Sequence, residues 1–143
     1  MINLIAKAQA TVEAPADDVW ETLVDSEKNK EFMFGATVTS DWREGSVISW
    51  RGELNGKKYE DRGMILEAIP AKRLRYTHYS PLSGQPDIPE RYHTITIDLA
   101  ERDGKTVVTL TQDKNRSETE QNESSKNWNT MLGSLRKVVE NSM

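Results

Sequence analysis

Ala14-Pro15-Ala16-Asp17-Asp18-Val19-Trp20 marks a change from strand to helix. Pro15 closes an extended segment and opens a helix, because a missing N–H costs nothing in a first helical turn. Asp17 and Asp18 sit in that turn, at the positive end of the helix dipole. Val19, Trp20, Leu23 and Val24 recur at helical spacing and form the apolar stripe. Upstream, Leu4, Ala6, Ala8, Ala10 and Val12 alternate with Asn3, Lys7, Gln9, Thr11 and Glu13. That is the period-two pattern of a strand with one buried face. Downstream, Asp25-Ser26 interrupts the helix and a second short helical turn runs to Lys30. Phe32, Met33 and Phe34 then form a compact apolar cluster before Gly35.

From Ala36 to Lys114 the chain reads as strands punctuated by turns. Asn55-Gly56 is a strong two-residue hairpin signal. Counting outward from it pairs Trp50 with Asp61 and Ile48 with Gly63. Asp103-Gly104 does the same for Leu99 with Val108, Ile97 with Leu110 and Ile95 with Gln112. A turn at Pro70-Ala71-Lys72-Arg73 would set Ile69 by Leu74, Glu67 by Tyr76 and Ile65 by His78. The Ser80–Glu90 connection, with Pro81, Gly84, Pro86 and Pro89, is a long loop of the kind that often serves as a lid. If it is symmetric, His78 lies across from His93. These pairings put Asp61, Gly63, Ile65, Glu67, Ile69, Tyr76, His78 and His93 on one inward face with Trp50 and the apolar residues of the last hairpin. Arg51, Arg62, Arg75, Thr94, Thr96 and Asp98 face the other way, while Met64, Leu66 and Val107 fit this division poorly.

Ser117-Glu118-Thr119-Glu120 matches a capping box and starts the closing helix. Trp128, Met131, Leu132, Leu135, Val138 and Val139 make its apolar stripe, whereas Gln121 to Asn127 contain no apolar residue. The C-terminal half is therefore expected on the sheet and the N-terminal half at a wetter edge. The order of elements describes an α+β domain: a curved sheet on a long helix, with room for a ligand between them.

Composition narrows the classes. At 143 residues the chain suits one domain, residues 1–143, with a substantial core. A net charge of -4 with no Lys/Arg cluster gives no nucleic-acid footprint. Cysteine is absent, which removes disulfides, thiolate nucleophiles and Cys-zinc sites. The N-terminus has no signal-peptide pattern and no run is long enough to span a membrane, so a cytoplasmic location is expected. Phosphate loops, dinucleotide fingerprints and a Gly-x-Ser-x-Gly elbow are missing from the sequence.

Val12-Glu13-Ala14-Pro15 through Val19-Trp20 and Leu23 resembles the opening of the START-like, or SRPBCC, superfamily. Gly63 to Pro70 followed by Arg73-Leu74-Arg75-Tyr76 resembles its central hairpin. Thr106 to Thr111, then Trp128, Leu132, Leu135 and Val138, resemble its last strand and helix. The nearest branch is the activator-of-heat-shock-protein-90-ATPase-like family, with polyketide cyclase and dehydrase-like relatives. The resemblance spans nearly the whole chain. It implies a helix-grip fold, in which a seven-stranded antiparallel sheet grips the C-terminal helix around a deep cavity, with short helices after the first strand. Glu123-Ser124-Ser125-Lys126-Asn127 departs from the family's small apolar residues at that point and implies a more polar cavity mouth.

Within such a cavity Trp50, Tyr76, Trp128, Phe32 and Phe34 are candidates to stack on a planar apolar ligand, as small-molecule pockets do. Met131 and Leu135 line the same helix face. The competing reading is that these side chains simply fill the core. Tyr76, His78, His93, Asp61 and Glu67 are candidates to orient the ligand. Buried carboxylates and histidines also serve as acids and bases. Against that stands pairing of the carboxylates with Arg73 or Arg75, or a register slipped by one residue. The two histidines are too few for a zinc site by themselves, and neither metal nor cofactor is expected. The leading expectation is binding of a small apolar or aromatic molecule, as monomer or homodimer. A cyclase- or dehydratase-like enzyme using the same cavity, with His78 or His93 as base, and a co-chaperone-like protein-interaction module are the alternatives. No residue is assigned a catalytic role.

Overall fold

The computed structural model describes residues 4–142. The expected outward position of Asn3 and the reading of the first residues as no signal peptide lie outside them. The elements are β1 (Leu4–Val12), α1 (Ala16–Leu23), α2 (Ser26–Phe32), β2 (Thr37–Ser40), β3 (Val47–Leu54), β4 (Lys57–Ile69), β5 (Arg73–His78), β6 (His93–Arg102), β7 (Lys105–Asn115) and α3 (Glu118–Asn141). Two short 3-10 turns, Pro81–Ser83 and Pro89–Arg91, lie in the β5–β6 connection. The seven strands form one sheet in the order β1-β7-β6-β5-β4-β3-β2, every neighbouring pair antiparallel.

Local chemistry explains these elements. Asn55 and Gly56 both have positive φ, 52° and 79°, and so do Asp103 and Gly104, 55° and 77°. These are type I′ turns, whose twist matches that of the flanking strands. They fix Trp50 opposite Asp61, Ile48 opposite Gly63, Ile97 opposite Leu110 and Ile95 opposite Gln112, as the sequence predicts. Asp25 caps α2, accepting from Glu27 N and Lys28 N. The Ser117 side chain caps α3, accepting from Glu120 N at 3.1 Å.

The expected β4–β5 register does not hold. The turn has three residues, with Ala71 at φ 63° and Lys72 N donating to Ile69 O, so Ile69 pairs with Arg73 and Ala68 with Leu74. A bulge between Ile65 and Glu67 then sets Ile65 opposite Tyr76. One extra residue reverses the side-chain alternation. Asp61 and Ile65 keep their inward face, whereas Glu67 and Ile69 turn outward and Ala68 packs against the core. Glu67 reaches Arg73 at 3.8 Å and Arg75 at 3.7 Å on the outer face. Glu67 is therefore not a cavity residue.

The core lies between the concave sheet face and the helices. Ile48, Ile65, Leu74, Ile95, Ile97 and Leu110 meet Met131, Leu132 and Leu135 of α3, all of them buried. Val19 and Leu23 of α1 and Phe32 of α2 close it, with Trp20 packed at its edge. Phe34 departs from the expected cluster: it has φ 53° and is 61% exposed. The left-handed turn that follows α2 swings it outward while Phe32 and Met33 stay in.

Candidate functional site

The N-terminal half of α3 buries no residue and borders a cleft of about 1180 Å³. Its floor is formed by the ends of three strands, with His78, His93 and Gln112. Residues of the β5–β6 loop, among them Gln85 and Ile88, form one wall. Ser117, Glu120, Ser124 and Trp128 of α3 and its cap form the other. The polar segment ahead of Trp128 thus meets the cleft through Glu123 and Ser124.

Three clusters, two buried or half-buried and one exposed, hold these walls. Gln112 Oε1 accepts from Trp128 Nε1 at 2.6 Å. Gln112 Nε2 donates to Asn115 Oδ1 at 3.3 Å, and the Ser124 hydroxyl donates to the same oxygen at 3.0 Å. This network ties the end of β7 to the middle of α3 and fixes the indole ring at the cleft. On the neighbouring strands His78 and His93 face each other as register partners. His78 Nε2 lies 2.9 Å from Asp61 Oδ2, and His93 Nδ1 lies 2.8 Å from the Asp113 carbonyl oxygen. An ionised carboxylate and a carbonyl only accept, so the two rings carry their protons on opposite nitrogens. His93 Nε2 is 4.0 Å from Glu120 Oε1, and Glu120 is held by Arg116 Nε at 2.9 Å.

Behind His78, the Trp50 ring stands edge-on at 4.9 Å between centroids and 70° between planes. Tyr76, two residues before His78 on β5, also contacts the Trp50 ring, at 5.3 Å between centroids. Tyr76 is buried, and burial pushes its phenol well above the ordinary value of 10.0. Asp61 Oδ1 is buried with no hydrogen-bond partner among the described residues.

The third cluster lies outside the sheet and holds the loop. Asp87 accepts from Arg62 and, at 2.6 Å, from the Tyr92 hydroxyl. Tyr79 and Tyr92, at the two ends of the loop, stack at 5.1 Å, and Arg62 lies over the Tyr79 ring at 5.4 Å. The Tyr92 hydroxyl and Arg62 hold the Asp87 carboxyl below its ordinary value.

Of the residues singled out from sequence, His78, His93 and Trp128 line the cleft. Trp50, Tyr76 and Asp61 stand behind His78. Phe32, Met131 and Leu135 are fully packed core. Phe34 and Glu67 do not line it. Sequence reading passed over Gln112, although its place among apolar residues on an inward face was a signal. It also passed over the Arg62–Asp87–Tyr92 clasp, whose members are far apart in sequence and individually ordinary. Among the described residues no three His, Asp or Glu side chains converge as metal ligands.

The family model described as activator of Hsp90 ATPase homolog 1-like protein matches residues 13–140. The chain belongs to that family. The solution structure of ChR145 from Cytophaga hutchinsonii is similar at 51% identity and a TM-score of 0.85, covering 99% of this chain and 97% of that one. CalU16 from Micromonospora echinospora shares the fold at 20% identity and a TM-score of 0.73, over 97% of this chain and 87% of its own. The Aha1 dimer from Colwellia psychrerythraea does so at 18% identity and 0.73, over 98% and 97%. No curated protein matches the sequence. No helix among the described residues is long and apolar enough to cross a membrane.

Proposed function

We propose that this family member binds a small molecule with an apolar or aromatic body in the cleft between α3, the β5–β6 loop and the ends of β5, β6 and β7. The observation that carries this reading is the cleft itself. Its volume of about 1180 Å³ accommodates a drug-sized ligand. A large aromatic wall, Trp128, is half-buried against the edge of the core and is held in place by its hydrogen bond to Gln112. Ile88 adds apolar surface, while His78, His93 and Gln112 supply convergent polar groups at the floor. Affinity comes chiefly from apolar area at about 25 cal/mol per Å², and orientation from the polar floor. The ligand meets the polar mouth of the fold. Met131 and Leu135 support it from below as core, without touching it.

Native mass spectrometry of freshly purified protein, followed by tryptophan-fluorescence titration with apolar and aromatic probes, tests the proposal. A retained mass or a saturable quench that Trp128→Ala weakens at least about ten-fold supports it, as expected for a buried aromatic anchor. Affinity unchanged by Trp128→Ala would place the site elsewhere.

A further inference from the structure

The Asp61–His78 pair has the build of a proton acceptor that serves the cleft. His78 lines the cleft, and its Nε2 is engaged with Asp61 at 2.9 Å. An ionised carboxylate accepts only, so that nitrogen carries the ring proton and Nδ1 carries the lone pair. Nδ1 has no partner among the described residues. Asp61 is mostly buried, its side chain 14% exposed, and its second oxygen, Oδ1, is buried and unpaired. A buried carboxylate with one hydrogen bond is under-satisfied, and a positive charge on the adjacent imidazole relieves it. Trp50, edge-on to His78, fixes the ring plane. His93 contrasts with this arrangement: its proton is committed to a backbone carbonyl, and its other nitrogen faces Glu120.

Resting on the cleft as the binding site, we infer that the ligand carries an acidic hydroxyl, phenolic or enolic, which donates to His78 Nδ1. Asp61 is the positioning residue: it sets the tautomer and stabilises the imidazolium. On transfer, the ligand O–H bond breaks, an Nδ1–H bond forms, and the electron pair stays on the ligand oxygen. The charge that results is spread along the line from ligand oxygen through imidazolium to carboxylate. This is the geometry by which a carboxylate-oriented histidine acts as a base.

The test uses 2-naphthol and 2-methoxynaphthalene, in which a methyl group replaces the hydroxyl proton, with binding measured by calorimetry. The wild type should bind the naphthol about ten-fold more tightly, the worth of one good hydrogen bond. His78→Phe and Asp61→Asn should each erase that preference, and Asp61→Asn, whose side chain stands behind the cleft lining, should keep the affinity for the methoxy compound. If the methoxy compound binds all three proteins and the naphthol gains nothing in any of them, the pair has no such role and the cleft reading stands. If neither compound binds the wild type, both readings fall. Should His78→Phe not fold, long-range 1H–15N spectra of the wild type decide the matter. A proton on Nε2 and a bare Nδ1 support the inference, and a proton on Nδ1 in the neutral ring overturns it.

Discussion

At Gly63 the backbone of β4 lies tight against that of β5, and adding one methyl group there should separate them. A Cβ at position 63 would lie 1.7 Å from Thr77 O and 2.5 Å from Thr77 C, where real Cβ contacts essentially never fall below 3.0 Å. Both atoms are backbone, so no side-chain rotation relieves the contact and the strands must part. Three hydrogen bonds cross this junction: Arg62 N to Tyr79 O at 3.0 Å, Tyr79 N to Arg62 O at 2.8 Å and Met64 N to Thr77 Oγ1 at 2.9 Å. At about 1 kcal/mol each their loss costs about 3 kcal/mol, at the upper end of the usual overpacking range. For a domain of this size that lowers Tm by about 10 °C. Urea unfolding and calorimetry of Gly63→Ala measure it. Gly133→Ala is the internal control. It sits in α3 with nothing within 4 Å of its added Cβ, so it should gain about 0.5–1 kcal/mol from helix propensity. A Gly63→Ala protein within about 1 kcal/mol of wild type would refute the close-approach reasoning. The same variant should also disturb the Asp61–His78 contact, since the two residues sit on the strands that Gly63 joins.

Four further outcomes follow from the same geometry. Burial raises the Tyr76 pKa above 10.0, so its contribution is complete below that value and is lost as pH rises from there toward the folded-state value. Tyr76→Phe should leave stability near wild type at pH 7, because its hydroxyl makes no hydrogen bond among the described residues, and should reduce the alkaline loss of stability seen by urea unfolding above pH ~10. Arg62→Ala removes the exposed clasp on Asp87 and Tyr79. Amide exchange in residues 80–91 should accelerate several-fold with little change in global unfolding, and equal acceleration throughout the sheet would contradict the clasp. In the wild type, the Asp87 side of that clasp should persist above the usual carboxylate value of 3.8 and weaken as pH falls below it, since its folded pKa is depressed. Ser117→Ala deletes the cap of α3 and should cost about 1 kcal/mol by thermal or urea unfolding.

Much of the fold was legible in short stretches of sequence. Asn55-Gly56 and Asp103-Gly104 state their turn type, and register follows by counting. Ser117 with Glu120 announces the start of α3. The β4–β5 hairpin was not legible, because Pro70-Ala71-Lys72 requires a left-handed alanine that its residue type does not advertise. The bulge at Leu66 likewise falls inside a 13-residue strand with no Gly or Pro beside it to announce it. That one feature moved Glu67 from the cavity to the outer arginines, while leaving Asp61 in place. Phe34 was misread for a related reason: a single positive φ after α2 decides whether the third residue of an apolar cluster enters the core. The histidine pair was readable because its register partners follow from loop symmetry. Their different protonation partners, Asp61 and the Asp113 carbonyl, needed three dimensions.

The most direct measurement for the cleft as a binding site is a 1H–15N chemical-shift map recorded with 2-methoxynaphthalene. Saturable shifts gathered on His78, His93, Gln112, the Trp128 indole and residues 80–91 are the expected result. Shifts that scatter over the surface, or gather instead around Phe34 and the outer face of β3 and β4, would contradict it.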